Sequence, residues 1–327
     1  MSANIQQSHA MPLAALAWLG RQGTRAIAAL VFIGIAVPPL GAVLKPYVTE
    51  AVFVLLCISF MRVDVAAMRN YLARPALVIG ATLWSTIAIP LLFGLGGLVS
   101  GLDRSSPDLF LGLMLQAVAS PMMASPALVA LMGLDSTLVL ITLVTSTALV
   151  PFSAPLFAYL FFGSALTLSP LALGLKLFAM LAGAIFVAAV IRRLVGADAI
   201  VRHRQPIDGF NILVLLVFVS AVMGTVAASF RAEPIRVLLL TVFAFVVFAV
   251  LLGATALVFR KAGRERALAL GLMASQRNMG LMLAGTDGAL PGLTWLYFAL
   301  AQFPIYVSPQ LLKPLVRSLR RASTPAP

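Results

Sequence analysis

The chain reads as a succession of long apolar runs separated by short clusters of basic residues. A helix that crosses a bilayer needs about 20 mostly apolar residues, and about ten segments of that kind can be marked. In the first half they are Arg25–Leu40, Val48–Val63, Pro75–Val99, Leu109–Leu134 and Thr137–Phe162. In the second half they are Leu171–Val190, Phe210–Ser229, Val237–Phe259, Ala267–Leu290 and Leu293–Leu312. In hydrocarbon every backbone donor and acceptor must be satisfied internally, which restricts spanning structures to helices and closed barrels. Barrel strands alternate in and out at period two over ~10 residues, and these runs are continuous. The pattern predicts an all-α membrane protein.

About ten spans divide into five and five, and an odd number per half sets the halves in opposite orientations, as in transporters built from inverted repeats. The boundaries expected on this reading are residues 21–163 and 164–316, with tails over 1–20 and 317–327 that should be flexible. Such repeats carry breaks at corresponding positions. The fourth segment contains Ala119-Ser120-Pro121-Met122-Met123-Ala124-Ser125-Pro126. Proline removes a helical hydrogen bond and clashes with the preceding turn, so this pair of prolines should open the helix near Ser125. The ninth segment contains Ser275-Gln276-Arg277-Asn278-Met279-Gly280, three large polar side chains in succession within an apolar run.

Composition agrees with the membrane reading. Hydrophobic residues make up 61% of the chain and charged residues 10%, against about 25% charged in soluble domains. Mean hydropathy is +1.06. The net charge of +13 would suggest nucleic acid in a soluble chain, but here the cations cluster at segment ends. Arg21, Arg69, Arg74, Arg192, Arg193, Arg202, Arg204, Arg260, Lys261, Arg264, Lys313 and Arg317 all fall on one side of a ten-span chain. By the positive-inside rule both termini are cytoplasmic, in an inner (plasma) membrane. Cys57 is the one cysteine, so no disulfide framework or cysteine metal site is expected. His9 and His203 lie outside the spans. With no nucleophile–base pair, metal set or phosphate loop in sight, no enzyme activity or cofactor is expected.

Arg277 is the residue that most needs an explanation. A charge at bilayer depth costs ~2.5–3.5 kcal/mol on insertion scales and normally faces a cavity or a partner. Ser125, Pro126, Gln276, Arg277 and Asn278 are therefore the candidate substrate-binding residues. Met114, Met122, Met123 and Met279 read as packing.

These segments also carry a resemblance. Phe60-Met61-Arg62-Val63-Asp64 with Arg74-Pro75, Ile89-Pro90-Leu91-Leu92, Ala124-Ser125-Pro126, Ser146-Thr147-Ala148-Leu149-Val150-Pro151 and Arg277-Asn278-Met279-Gly280-Leu281 fall in the order and spacing of the bile acid:sodium symporter family. The chain resembles that family from about Arg25 to Leu319. The resemblance implies a panel of spans one, two, six and seven, and a core of the other six whose fourth and ninth helices unwind and cross. It implies carriage of an organic anion, a bile acid or smaller carboxylate, coupled to sodium.

The departures from the family pattern fall on the sodium ligands, which should be hard oxygen donors. On the alignment that the resemblance gives, Met273 replaces a glutamate, Arg277 a glutamine, Pro126 an asparagine and Ser85 a glutamine. The fifth-span hydroxyl positions fall at Val139 and Leu143, with Thr142 the nearest oxygen. Ser85, Ser125, Thr142, Met273, Arg277 and Asn278 are thus degenerate ion-site positions, and any Na+ site among them should be weak. The expectation is a secondary transporter of an organic anion with weak or absent sodium coupling, in which Arg277 stands in for the cation. The alternatives are a sodium symporter that uses the residual ligands, an ion or proton exchanger of similar fold, or a non-transporting receptor. Glu50, Asp64 and Asp287 are the acids nearest a span interior. Neither the substrate nor the oligomeric state is legible from the sequence.

Overall fold

A computed structural model describes residues 2–63, 75–162 and 168–321. Asp64, Arg69 and Arg74 lie outside the described residues. The described residues are 88% helical, and the one β-type pairing among them is an isolated bridge between Pro121 and Arg277. The helices, in chain order, are α1 Ser2–Gln22, α2 Thr24–Ala36, α3 Pro38–Leu44, α4 Val48–Met61, α5 Pro75–Leu83, α6 Ile89–Val99, α7 Leu102–Ser105, α8 Pro107–Val118 and α9 Ser125–Leu131. There follow α10 Ser136–Phe157, α11 Pro170–Val195, α12 Ala197–Arg202, α13 Arg204–Met223, α14 Val226–Ala232, α15 Pro234–Val258, α16 Arg264–Ser275, α17 Met279–Gly285 and α18 Gly292–Arg321.

Among the described residues, six helices are long and apolar enough to cross a membrane: Pro38–Met61, Pro75–Val99, Ser136–Phe162, Pro170–Val195, Arg204–Ala232 and Pro234–Val258. The other predicted segments depart from a single long apolar helix for separate reasons. The first is cut where Val37 leaves helical geometry ahead of Pro38. The fourth and ninth are each two short helices flanking a break. The tenth is one long helix diluted by Gln302, Pro304 and Pro309. Large apolar side chains face outward, among them Leu171, Phe178, Phe186, Leu239 and Val250. A surface of that kind suits lipid and would associate in water.

The chain packs as two compact units, residues 1–63 with 180–228 and residues 64–179 with 229–327. Each unit draws on both halves of the sequence.

In the first unit, α13 is the axis. Gly20 lies against Gln205 at the start of α13, Gly34 against Ser220 and Met223, and Gly41 against Gly224 at its end. Arg62 returns to Asp208, 2.6 Å away. The chain therefore runs along α13 to its far end and comes back on α4. Small residues allow the approach, as they do between membrane helices generally: a Cβ on Gly41 would sit 2.6 Å from the Gly224 Cα. At the Arg62 end, Arg192 donates to the carbonyls of Met61 and Val63 at 3.1 and 2.6 Å.

One expectation is corrected here. Residues 2–20 are not a loose tail but most of α1, which runs antiparallel along α13, with Leu16 at Gly209 and Gly20 at Gln205. The cause is close backbone packing at glycine, which a hydropathy profile does not register. A Cβ on Gly209 would lie 1.9 Å from the Leu16 carbonyl oxygen.

The second unit takes in α5 to α10 and α15 to α18. One apolar cluster in it joins Val78, Ala81, Val129, Leu138, Val139, Ile141, Leu270 and Met273.

Gly209→Ala should lift α1 from α13 and destabilise the protein by about 1–3 kcal/mol, the usual cost of overpacking. Hydrogen exchange should report the loss first in residues 12–22, and unchanged protection there would contradict the contact.

Candidate functional site

The second unit holds two interrupted helices whose gaps pair with each other. α8 stops at Val118, where Ala119 turns extended (φ −61°, ψ 145°). Pro121 supplies no N–H and disfavours helix in Ser120 before it. α16 stops at Ser275, and Gln276 is likewise extended (φ −98°, ψ 96°). Across the gap the Met122 N–H donates to the Gln276 carbonyl and the Asn278 N–H to the Ser120 carbonyl, each at 2.7 Å.

The break lies ahead of Ser125 rather than at it. Pro126 occupies the first turn of α9, where a missing N–H costs nothing. The Ser125 hydroxyl donates to Gln276 Oε1 at 3.1 Å, with both residues fully buried. Asn278 caps α17: its Oδ1 accepts from the Leu281 N–H at 3.3 Å. Pro126 and Asn278 thus have structural duties at helix starts, while Ser125 and Gln276 tie one broken helix to the other.

Arg277 is 1% exposed. Its Nη1 donates to the Ala119 carbonyl at 2.9 Å, the Ser85 hydroxyl at 3.0 Å and the Ser85 carbonyl at 3.3 Å. The Ser85 carbonyl is open for a definable reason. Residues Trp84–Ala88 form a π-helical turn in which the Ile89 N–H bonds back to the Trp84 carbonyl. In that i→i+5 register the Ser85 carbonyl would be served by residue 90, and Pro90 has no N–H. Trp84 anchors the turn through an indole N–H donated to the Thr255 hydroxyl at 2.9 Å.

Of the charge on Arg277, only one nitrogen is satisfied. Nε and Nη2 find no acceptor among the described residues, and no ion pair there includes the side chain. The acids lie elsewhere. Asp287 pairs with Lys176 and is 61% exposed, Asp135 pairs with Arg266 at 3.3 Å, and Glu50 is exposed.

The remaining positions that the resemblance suggested separate. Met273 is buried in the apolar cluster with Val139 and Ile141, so the place where the family pattern has a glutamate offers no oxygen. Thr142 is fully buried and its hydroxyl has no partner among the described residues. Ser85 and Arg277 meet, as do Ser125 and Gln276; among the described residues the Thr142 and Met273 side chains make no polar contact with either pair. No group of metal-binding side chains occurs among the described residues.

Several polar contacts of this unit were not anticipated. The Tyr297 hydroxyl donates to Gln116 Oε1 in a fully buried pair. The Thr82 and Thr145 hydroxyls are 2.7 Å apart, with either as donor. Gln116 was the one visible signal, as the only amide in the apolar run that precedes the first break.

Arg277→Met should strand the Ala119 and Ser85 carbonyls and cost about 1–3 kcal/mol for each buried acceptor left unpaired. Ser85→Ala, which keeps the carbonyl, should cost only about 1 kcal/mol. Thermal unfolding of the two variants checks the order, and equal losses would mean that the backbone contacts carry little.

No protein-family model matches the chain, and no curated protein matches it.

Proposed function

We propose that the protein is a secondary transporter of an organic anion, of the bile-acid or smaller carboxylate class, that works by alternating access without obligatory sodium. The observation that carries the reading is the Arg277 side chain. Its Nη1 occupies the position among the Ala119 carbonyl, the Ser85 carbonyl and the Ser85 hydroxyl where oxygen atoms freed by two helix irregularities would otherwise call for a cation. The apolar environment of Met273 speaks against a sodium site built on the family pattern, because a cation there would have no hard ligand from that residue.

The same reading takes the chain as about ten spans in two inverted repeats, in a plasma membrane with both termini cytoplasmic. Its support is the occurrence of a break in the fourth segment of each half. The composition of the two compact units also supports it. The first and second predicted spans, the seventh, and the later part of the sixth fall in one unit, and all the others in the second. This grouping is compatible with the panel and core that the resemblance implies, with α11 divided between the two.

The test is uptake of a radiolabelled bile acid and of a short monocarboxylate into proteoliposomes, with sodium or choline as the external cation. Uptake should persist in choline at a rate within about twofold of that in sodium, and Arg277→Ala should lower it at least tenfold, the equivalent of ~1.4 kcal/mol. Uptake that collapses in choline would overturn the proposal and restore a sodium symporter.

A further inference from the structure

The guanidinium of Arg277 has two sides with different surroundings. Nη1 is taken up by the oxygens of Ser85 and Ala119. The lateral edge, formed by Nε and Nη2, is buried with no acceptor among the described residues. We propose that this edge is the binding site for one monovalent anion, held inside the second unit by two parallel hydrogen bonds.

Three observations select an anion. First, the unpartnered groups are donors: arginine nitrogens never accept, and the Nε and Nη2 hydrogens point along one edge in the fork that matches a carboxylate or a halide. Further unpartnered groups at the crossing, Gln276 Nε2 and the Ser120 hydroxyl, can also donate. A metal cation is the one ligand that this set repels. Second, the charge is uncompensated. Among the described residues no carboxylate lies within ion-pair distance of Arg277, and Asp103, Asp135, Glu233 and Asp287 of the same unit pair instead with Arg104, Arg266, Arg236 and Lys176. Water would satisfy the hydrogen bonds but leave a buried charge, whereas an anion satisfies both requirements. Third, one charge calls for one countercharge, because a divalent anion would leave a net negative charge buried in place of the positive one. With Arg277 1% exposed, the occupant contacts the guanidinium through a small head, either a halide or the carboxylate of the cargo.

The inference deepens the transport reading by naming what meets Arg277, and it rests on that reading only for the carboxylate source. The experiment is thermal unfolding of the full chain in detergent at fixed ionic strength, as methanesulfonate is replaced stepwise by chloride or by acetate. The wild type should show a saturable rise in midpoint of about 3 °C or more with at least one of them. Saturation by chloride alone identifies a halide site. Saturation by acetate, with or without chloride competing, identifies the head group of the cargo. Arg277→Gln should abolish the saturable part. Arg277→Lys keeps the charge but lacks the two-donor edge, and should raise the half-saturating concentration at least tenfold. A wild-type response that is absent or linear would overturn the site, as would an undiminished response in Arg277→Lys. Should Arg277→Gln fail to fold, equilibrium binding of radiolabelled chloride and acetate to the wild type decides: one saturable site per chain supports the proposal, and none refutes it. Uptake that requires sodium would sink the coupling reading and leave this result standing, so the two failures are distinguishable.

Discussion

The core of the second unit depends on a mutual rescue of backbone groups. A helix opened inside hydrocarbon exposes N–H and C=O groups that no water can serve, at about 1–3 kcal/mol each when buried and unpaired. Either break alone would carry that cost. Together they remove much of it, because Met122 donates to Gln276 and Asn278 to Ser120. The pairing also fixes the backbone of residue 277 between two bonded neighbours, so its side chain leaves from a defined point. The position of the guanidinium is then a consequence of the crossing and needs no separate device.

A third irregularity closes the arrangement. The π turn at Trp84–Ala88 would be an isolated defect if the Ser85 carbonyl had nothing to accept. It accepts from Arg277, which also serves Ala119 on the first broken helix. One side chain of the ninth segment therefore bonds oxygens of the third and the fourth. Hydrogen bonds that involve a charged group contribute about 1.5–3 kcal/mol each, comparable to the ~2.5–3.5 kcal/mol cost of placing arginine at bilayer depth. The offset makes the residue tolerable in the core. It leaves the lateral edge of the guanidinium as the unresolved half of its charge.

What the sequence made legible follows from which forces are local. Long apolar runs announce helices because hydrocarbon leaves the backbone no alternative, and Pro121 and Gln276-Arg277-Asn278 marked the two breaks because their costs are intrinsic to those residues. The break was placed several residues late because Pro126, which looked like a second breaker, begins α9, and only the register of the helix reveals that. Ser85 was singled out by the resemblance for its side chain, whereas its carbonyl matters as much; that depends on Pro90 sitting five residues on in a π register. Met273 was aligned as an ion-site position, but its surroundings come from α5, α9 and α10, which no linear pattern brings together. The helix over residues 2–22 was missed for the same reason: glycine contacts between distant segments leave little trace in hydropathy.

On the transport reading, a cation that is covalently part of the protein changes the energetics of coupling. A bound sodium ion can be released to the other side and so do work, while Arg277 returns with the chain in every cycle. Moving one elementary charge across 100 mV is worth ~2.3 kcal/mol. An anion carried inward against a negative interior bears that cost, and nothing that stays bound to the protein offsets it over a full cycle. Exchange of one monoanion for another avoids the cost entirely, since the charge on the loaded site is the same in both directions. The hydrogen bonds of Nη1 offset only part of the cost of burying Arg277, so a site that crosses empty also bears what remains of the desolvation penalty of a buried charge without a counterion. On the transport reading, exchange of one monoanion for another therefore costs less than uniport.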